Sequence, residues 1–340
     1  MRNPSEARPD HPPPPREYFG YTDVVSYILG ITFEIWEQRQ VDTILDYYGK
    51  DIEVYSLEGL THGAEAMVEG TLSTLEAFPD RLLLGDDIIW SGNLECGFSS
   101  HRITSPMTNT GDTVFAPATG KTVRTMNIAD CEITSGQITG EWLFRDNLAL
   151  LTQLGLDPSS AVRTVADRFS GELMQWLKRE YERTRRGQTA PAPTLGQDSP
   201  DSNEPFAQSV LSACWTSGDQ ALLEQAYAPY AVLHRAPTRI FSGREATLEH
   251  HTAWRRAFPD ASLTVDHVCS QPFGENGQHV AARWSVAAHH EGPYAEMAPE
   301  GKPVYVSGVT HWRLVNGGIV TEWTVFDEIS LRAQLLAGFG

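Results

Sequence analysis

The sequence predicts an α+β protein built from two copies of one domain. Three observations carry that expectation: a phrase that recurs at half the chain length, further landmarks at the same spacing, and helices followed by strands in each half. "GEWLFRDNLALLTQLGL" (140–156) is answered by "TEWTVFDEISLRAQLLAG" (321–338). "AFPD" stands at Ala77–Asp80 and again at Ala257–Asp260. "HGAEAM" from His62 is matched by "SGREAT" from Ser242, and "GKTVRTMNIADCEI" from Gly120 by "GKPVYVSGVTHWRL" from Gly301. Phe78 and Phe258 are 180 residues apart, and Asp146 and Asp327 are 181 apart. Ordered matches at one offset signal a tandem duplication. A chain of 340 residues is long enough for two such domains, each with its own core.

The elements follow in order. Residues 1–15, with "HPPPP" at their end, read as a disordered lead. The first domain is assigned to 16–158. It opens with helical patterns in "YTDVVSYILGITFEIWEQ" and "VDTILDYY", then a short extended piece, "IEVYS". A third helix, "AEAMVEGTLSTLEAF", stops at Pro79. Four strand-like stretches come next: "RLLLGDDIIW", "ECGFSSHRITS", "TVRTMNIADCEI" and "QITGEWLFRD". Residues 159–203 are a connecting helix and a linker rich in Pro, Ser and Gln. The second domain, 204–340, repeats the order. Helices before a strand meander imply a curved antiparallel sheet wrapped around helices, a cone whose mouth can take a small ligand.

Charge and motif content narrow the function. Lys and Arg number 26 against 44 Asp and Glu, a formal net charge of −18. That argues against nucleic acid or an anionic membrane surface as partner. No apolar run reaches the ~18 residues of a membrane span, and the first residues have no apolar signal region, so a cytoplasmic protein is expected. Cys96, Cys131, Cys214 and Cys269 form no C-x-x-C pair and read as reduced thiols. Neither a dinucleotide fingerprint nor a Walker motif is present, and no cofactor is expected. The pairs His250–His251 and His289–His290 lack the i, i+4 spacing of a helical metal site, so no metal is assigned.

"AFPD", "ATGKTVRTMNIADCEI" and "EWLFRDNLALLTQLGLDP" resemble the SnoaL-like polyketide cyclases, often labelled ester cyclases, of the nuclear transport factor 2-like superfamily. The resemblance covers both copies. It implies two cone-shaped domains and a general acid/base at the Asp of W-x-x-x-D, here Asp146 and Asp327. It also implies histidines before the sheet and at a strand end, here His234 and His290.

Read from the residues, period-two alternation places Ile138, Gly140, Trp142, Phe144 and Asp146 on one face, with Trp323 and Asp327 on its counterpart. An apolar wall ending in a carboxylate suits acid/base work near neutral pH, because apolar surroundings raise a carboxyl pKa. Glu141 and Glu322 fall on the opposite face, toward solvent or a dimer contact. Each Asp also precedes a helical run and is equally well placed as a helix N-cap. His101 and His62 are candidates to polarise a substrate oxygen. Trp142, Phe144, Trp323, Tyr48, Tyr55 and Arg124 are candidates to hold the substrate. The expected activity is cofactor-free acid/base chemistry next to a carbonyl (an aldol or retro-aldol lyase, cyclase or isomerase) on a small polyketide-like or aromatic compound. The alternatives are a non-catalytic binding module, or an epoxide hydrolase or dehydratase on the same fold. The sheets are expected to pair as an intramolecular pseudo-dimer or between chains of a homodimer, with one pocket open, preferably in the first copy.

Overall fold

The computed structural model describes residues 18–56, 59–169, 171–187, 203–235 and 239–339. The expected disordered lead, 1–15, and linker residues 188–202 lie outside the described residues.

The first copy opens with α1 (Val24–Thr32), whose N-cap Asp23 accepts from Ser26 N at 2.8 Å. A π-turn over Phe33–Glu37 carries the apolar stripe on to α2 (Ile44–Tyr47). β1 (Tyr48–Ser56) and β2 (Gly59–His62) then lead into α3 (Ala64–Ala77). Gly63, at φ 86°, sits at the N-cap of α3, where a side chain would be strained. β3 (Leu84–Gly92), β4 (Cys96–Thr108), β5 (Thr122–Thr134) and β6 (Gln137–Arg145) complete a sheet ordered β2-β1-β6-β5-β4-β3. Every neighbouring pair is antiparallel apart from β1 and β6, because β1 reaches the sheet from the helical segment and not from a hairpin. α4 (Asn147–Leu154) closes the copy.

α5 (Pro158–Ala166) and α6 (Gly171–Arg185) connect the copies. The second copy repeats the plan: α7 (Glu204–Trp215), α8 (Gln220–Ala226), β7 (Tyr227–Arg235), β8 (Arg239–Ser242), α9 (Arg244–Ala257), β9 (Ser262–Phe273), β10 (Gly277–His289), β11 (Pro303–Val315), β12 (Gly318–Phe326) and α10 (Glu328–Ala337). Its sheet order is β8-β7-β12-β11-β10-β9. In each copy the helices and the inner sheet face enclose a core, around Tyr27, Ile31 and Ile133 in the first and Trp215, Trp284 and Phe326 in the second. No described helix is long and apolar enough to cross a membrane.

One irregularity decides where the side chains of β6 point. Glu132 pairs with Gly140, but Ile133 pairs with Ile138, so Thr139 is an extra residue and β6 is bulged. β12 carries the same bulge, with Arg313 opposite Thr321 and Leu314 opposite Ile319. One extra residue exchanges the two faces of everything beyond it. Ile138, Glu141, Leu143 and Arg145 therefore face the interior of the cone. Trp142 and Phe144 face outward and pack with Ile128, Val309 and Val325 between the two sheets. This corrects the alternation read from the sequence, which put Trp142 and Phe144 inside and Glu141 outside.

The two outer faces form a pseudo-symmetric interface within the chain. The Arg102 guanidinium lies 4.1 Å from the Trp323 ring, and its counterpart Arg283 lies 3.4 Å from Trp142. Arg283 Nε donates to buried Asp130 at 2.8 Å, and His267 Nδ1 stands 3.2 Å from the same carboxylate. His279 Nδ1 is 2.8 Å from Asp87, and Ser100 Oγ is 2.9 Å from His311 Nε2. α6 straps the second copy, with Arg183 bonded to Asp266 at 2.9 Å and Arg185 to Asp260 at 3.1 Å. Burial alone would raise the Asp130 pKa, but His267 and Arg283 hold it below the ordinary value. A depressed folded pKa gives stability that is present above the unfolded value of ~3.9 and lost as the pH falls through the folded one. Asp130→Asn is expected to cost about 3–5 kcal/mol in urea unfolding at pH 7, because it leaves a buried guanidinium uncompensated. It should also flatten the acid limb of the stability curve. A variant as stable as the parent at pH 7 contradicts this account of the interface.

Candidate active site

The first copy encloses a cavity of about 280 Å³ between its sheet, α1 and α3. Its walls are mostly apolar, with Ile28, Ile31, Ile103 and Leu143 among them. Tyr48, His101, Asn127, Glu141, Arg81 and Arg145 supply the polar groups. Glu141 is buried on the inner face of β6 beyond the bulge. One carboxylate oxygen is within reach of the Tyr48 hydroxyl, and Oε2 has no hydrogen-bond partner among the described residues. Burial pushes this acid up to about 7, against the opposing pull of Arg145 and the Tyr48 hydrogen bond.

His101 projects into the same cavity from β4, and its Nε2 is also without a partner among the described residues. Gly85 makes room for it: a Cβ there would lie 2.8 Å from His101 Nε2. Burial, helped by neighbouring Arg102, lowers the imidazole to about 4, so the ring is neutral at pH 7. A neutral ring can donate or accept at Nε2 according to its tautomer.

A smaller pocket of about 180 Å³ adjoins the cavity and shares Thr74, Arg81, Asn127 and Arg145 with it. Asp146 lines this second space. Its Oδ1 accepts from Ala149 N at 3.0 Å and caps α4. Asp327 caps α10 in the same way, accepting from Ile329 N at 2.9 Å and Ser330 N at 3.1 Å, and it also accepts from the Asn147 amide.

The second copy has the same acid in a closed setting. Glu322 accepts from Thr324 Oγ1 at 2.7 Å on one oxygen, and from Trp312 Nε1 at 3.1 Å and the Tyr227 hydroxyl on the other. Large side chains occupy the space around it. The positions of Ser56, Thr74, Ile103, Cys131 and Arg145 in the first cavity are held by Arg235, Trp254, Trp284, Trp312 and Phe326. Arg235 is buried, its guanidinium 4.7 Å from the Trp215 ring and 4.8 Å from Phe326. Gly308 stands where the first copy has Asn127, and a Cβ there would meet Trp284 at 2.6 Å.

The other sequence-nominated residues are dispersed. Tyr48 and His101 reach the cavity. Tyr55 stacks on Trp142 at 5.1 Å and His234 on Trp323 at 5.6 Å, both on the outer sheet faces. His62 is exposed, between Glu53 at 3.5 Å and Glu172 at 3.2 Å. His290 is buried in the second copy beside Phe258, and Arg124 is exposed on β5. Sequence reasoning missed Glu141, Arg81 and Asn127; Arg145 reads from the sequence, with Arg124, as either an anchor for an anionic substrate or a sheet-surface charge. The signal for Glu141 was present, since Glu-Trp is the repeated dipeptide itself. Among the described residues no three His, Cys, Asp or Glu side chains gather to hold a metal ion.

The model of the family described as SnoaL-like polyketide cyclase matches residues 28–154 and, again, 206–335. No curated protein matches the chain. Similar solved structures each correspond to one copy. IdmH from Streptomyces antibioticus is 26% identical, with 38% of this chain and 96% of that chain covered and a TM-score of 0.33. AclR from Streptomyces galilaeus is 23% identical, with 38% and 94% covered and a TM-score of 0.34. TsrD from Streptomyces laurentii is 19% identical, with 38% and 94% covered and a TM-score of 0.35.

The raised Glu141 pKa has a thermodynamic consequence. Proton binding is tighter in the folded state, so ionising this acid costs stability above its unfolded value, and the cost is complete above about pH 7. Glu141→Gln is expected to raise the melting temperature at pH 8 and to leave it nearly unchanged at pH 4. Equal shifts at the two pH values would remove the case for a perturbed acid.

Proposed function

The chain belongs to the SnoaL-like polyketide cyclase family, and from that premise we propose that its first copy is a cofactor-independent acid/base enzyme acting on a carbon next to a carbonyl. The observation that carries the proposal is Glu141, an acid in an apolar cavity with a carboxylate oxygen turned away from every described partner. A base that titrates near the working pH moves protons most effectively. In the proposed step the ionised Glu141 takes the proton from the carbon. The C–H electron pair moves into the carbonyl, and neutral His101, in its Nε2–H tautomer, donates a hydrogen bond to the developing enolate oxygen. Tyr48 orients the Glu141 carboxyl. The enolate carbon then attacks a second carbonyl in a ring closure, the new alkoxide taking the proton back from Glu141, or is itself reprotonated by Glu141 in an isomerisation. The aromatic and aliphatic walls suit a small polyketide-like or aromatic substrate. The second copy serves as the structural half.

A second reading keeps Asp146 as the acid/base, favoured by its place on the smaller pocket. One probe separates the two. 5-Nitrobenzisoxazole opens to a coloured phenolate when a general base removes its ring proton. The parent should turn it over at a rate that rises with pH through about 7, because the base must be ionised. Glu141→Gln is expected to lose about 10²-fold or more, and Asp146→Asn, which keeps its cap, to lose little. The opposite pattern transfers the role to Asp146. Parent activity in both variants leaves neither acid as the base.

A further inference from the structure

We propose that Arg81 and Arg145 form an anion subsite, at the junction of the two pockets of the first copy, that holds the carboxylate of a small organic acid. The proposal deepens the reading of the cavity as a substrate site and rests on it.

Both arginines line both pockets. Arg81 is only 8% exposed. Its Nε donates to Ser105 Oγ at 3.0 Å, and its guanidinium lies 4.8 Å from the Trp36 ring. Neither arginine forms an ion pair with an acid among the described residues, and the charge that acts on Arg81 is the like charge of Arg145. Two acids share the smaller pocket, but each is engaged with backbone: Asp112 accepts from Ala118 N at 3.0 Å and Asp146 from Ala149 N at 3.0 Å. A buried cation is expensive without a counter-charge, and a facing cation adds to the cost. Burial, with Arg145, lowers the Arg81 pKa to about 9. In a chain with 44 acids and 26 bases, two guanidiniums stand together with no ion-paired acid and only the through-space pull of Glu141 on Arg145, a pattern that a bound anion would resolve.

The second copy supplies an internal control. Ala261 stands three residues beyond the Phe of its "AFPD", where the first copy has Arg81, and Phe326 pairs with Gly308 as Arg145 pairs with Asn127. Both cations are absent from the second copy, whose one buried guanidinium there, Arg235, stands at the position of Ser56 and packs on Trp215 and Phe326. The pair thus goes with the open space and not with the fold. A guanidinium fork matches a planar carboxylate in bidentate geometry. Arg145 and Glu141 share the inner face of β6 two pleats apart, about 13 Å along the strand. A carboxylate held by the arginines and a carbon presented to Glu141 would be separate ends of one molecule, with its apolar middle against Leu143 and Ile103.

The test uses the full chain, with 2-naphthoate, its neutral isostere 2-naphthamide, and inorganic phosphate. Calorimetric titration should show naphthoate binding about tenfold or more tightly than naphthamide, with a matching rise in melting temperature. Arg145→Gln should lose that preference and keep naphthamide binding. Arg81→Met should lose it as well and melt higher than the parent without ligand, since an unpaired buried charge is gone. If Arg81→Met does not fold, Arg145→Gln decides alone. The preference should persist in Glu141→Gln, so a failure of Glu141 as base is distinguishable from a failure of the subsite. Three results overturn the proposal: no naphthoate binding, equal binding of acid and amide, or a preference that survives Arg145→Gln. Stabilisation by phosphate without naphthoate binding assigns the pair to a free inorganic anion and overturns the organic-acid assignment.

Discussion

The extra residue in the last strand of each copy is the constraint from which the arrangement of both faces follows. Thr139 in β6 and its counterpart in β12 invert the parity of every side chain beyond them. Because of it, the repeated Glu-Trp divides between two environments. Glu141 and Glu322 go into the cones, and Trp142 and Trp323 go to the seam between sheets. Without the bulge the acids would enter the seam and the tryptophans the cavity. A bulge holds its register when the two faces differ strongly in what they can accept. Here a tryptophan under a guanidinium and an acid beside a buried tyrosine are hard to exchange.

From that shared frame the copies diverge by filling, not by refolding. Both keep an acid with a tyrosine at the start of the neighbouring strand, Tyr48 or Tyr227. In the second copy Trp312 and Thr324 satisfy the rest of the carboxylate, and its raised pKa reflects burial in a complete hydrogen-bond set. A buried acid of that kind gives local rigidity and has no surface left for a substrate. In the first copy the residues at those positions, Cys131 and Leu143, donate nothing to Glu141, and the missing partners are where a ligand would act. Removing bulk around an acid and leaving one of its oxygens without a protein partner are therefore the same substitution seen from two sides.

The fold was legible in the sequence because it is written twice. Two noisy copies of one pattern, at a constant offset, fix element order better than either alone, and the "AFPD" stop and the terminal helix fall where the pattern puts them. The site was legible only in part. Strict alternation fails at one residue in β6, and that residue sits between the start of the strand and its acid. Asp146 and Asp327 drew attention as chemistry, yet their carboxylates also make the caps that their positions before helices predict. Arg81 drew none, and Arg145 looked equally well explained as a surface charge, since the two are far apart in sequence and come together only where both line the same pockets. Unpaired cations are a property of the packed state, because any arginine in a chain this acidic looks paired on paper.

The interface also explains why the duplication is fused. By register, Asp87 and Asp130 of the first copy correspond to His267 and His311 of the second. In the pseudo-symmetric seam Asp130 meets His267, and Asp87 feels His311. A two-fold pair of first copies would set Asp130 against Asp87, like charge against like. A two-fold pair of second copies would set histidine against histidine, with no acid opposite either. The mixed pair sets each acid against a histidine, while the arginine at the seam, Arg102 or Arg283, is common to both copies, so the acid–histidine pattern favours pairing between unlike copies. Once two unlike halves pair within one chain, symmetry no longer repeats each substitution in both cones. Tryptophans can then fill one cone for stability while the other keeps Gly85, Thr74 and Ile103 small enough for a cavity, which no homodimer of a single copy could do at once.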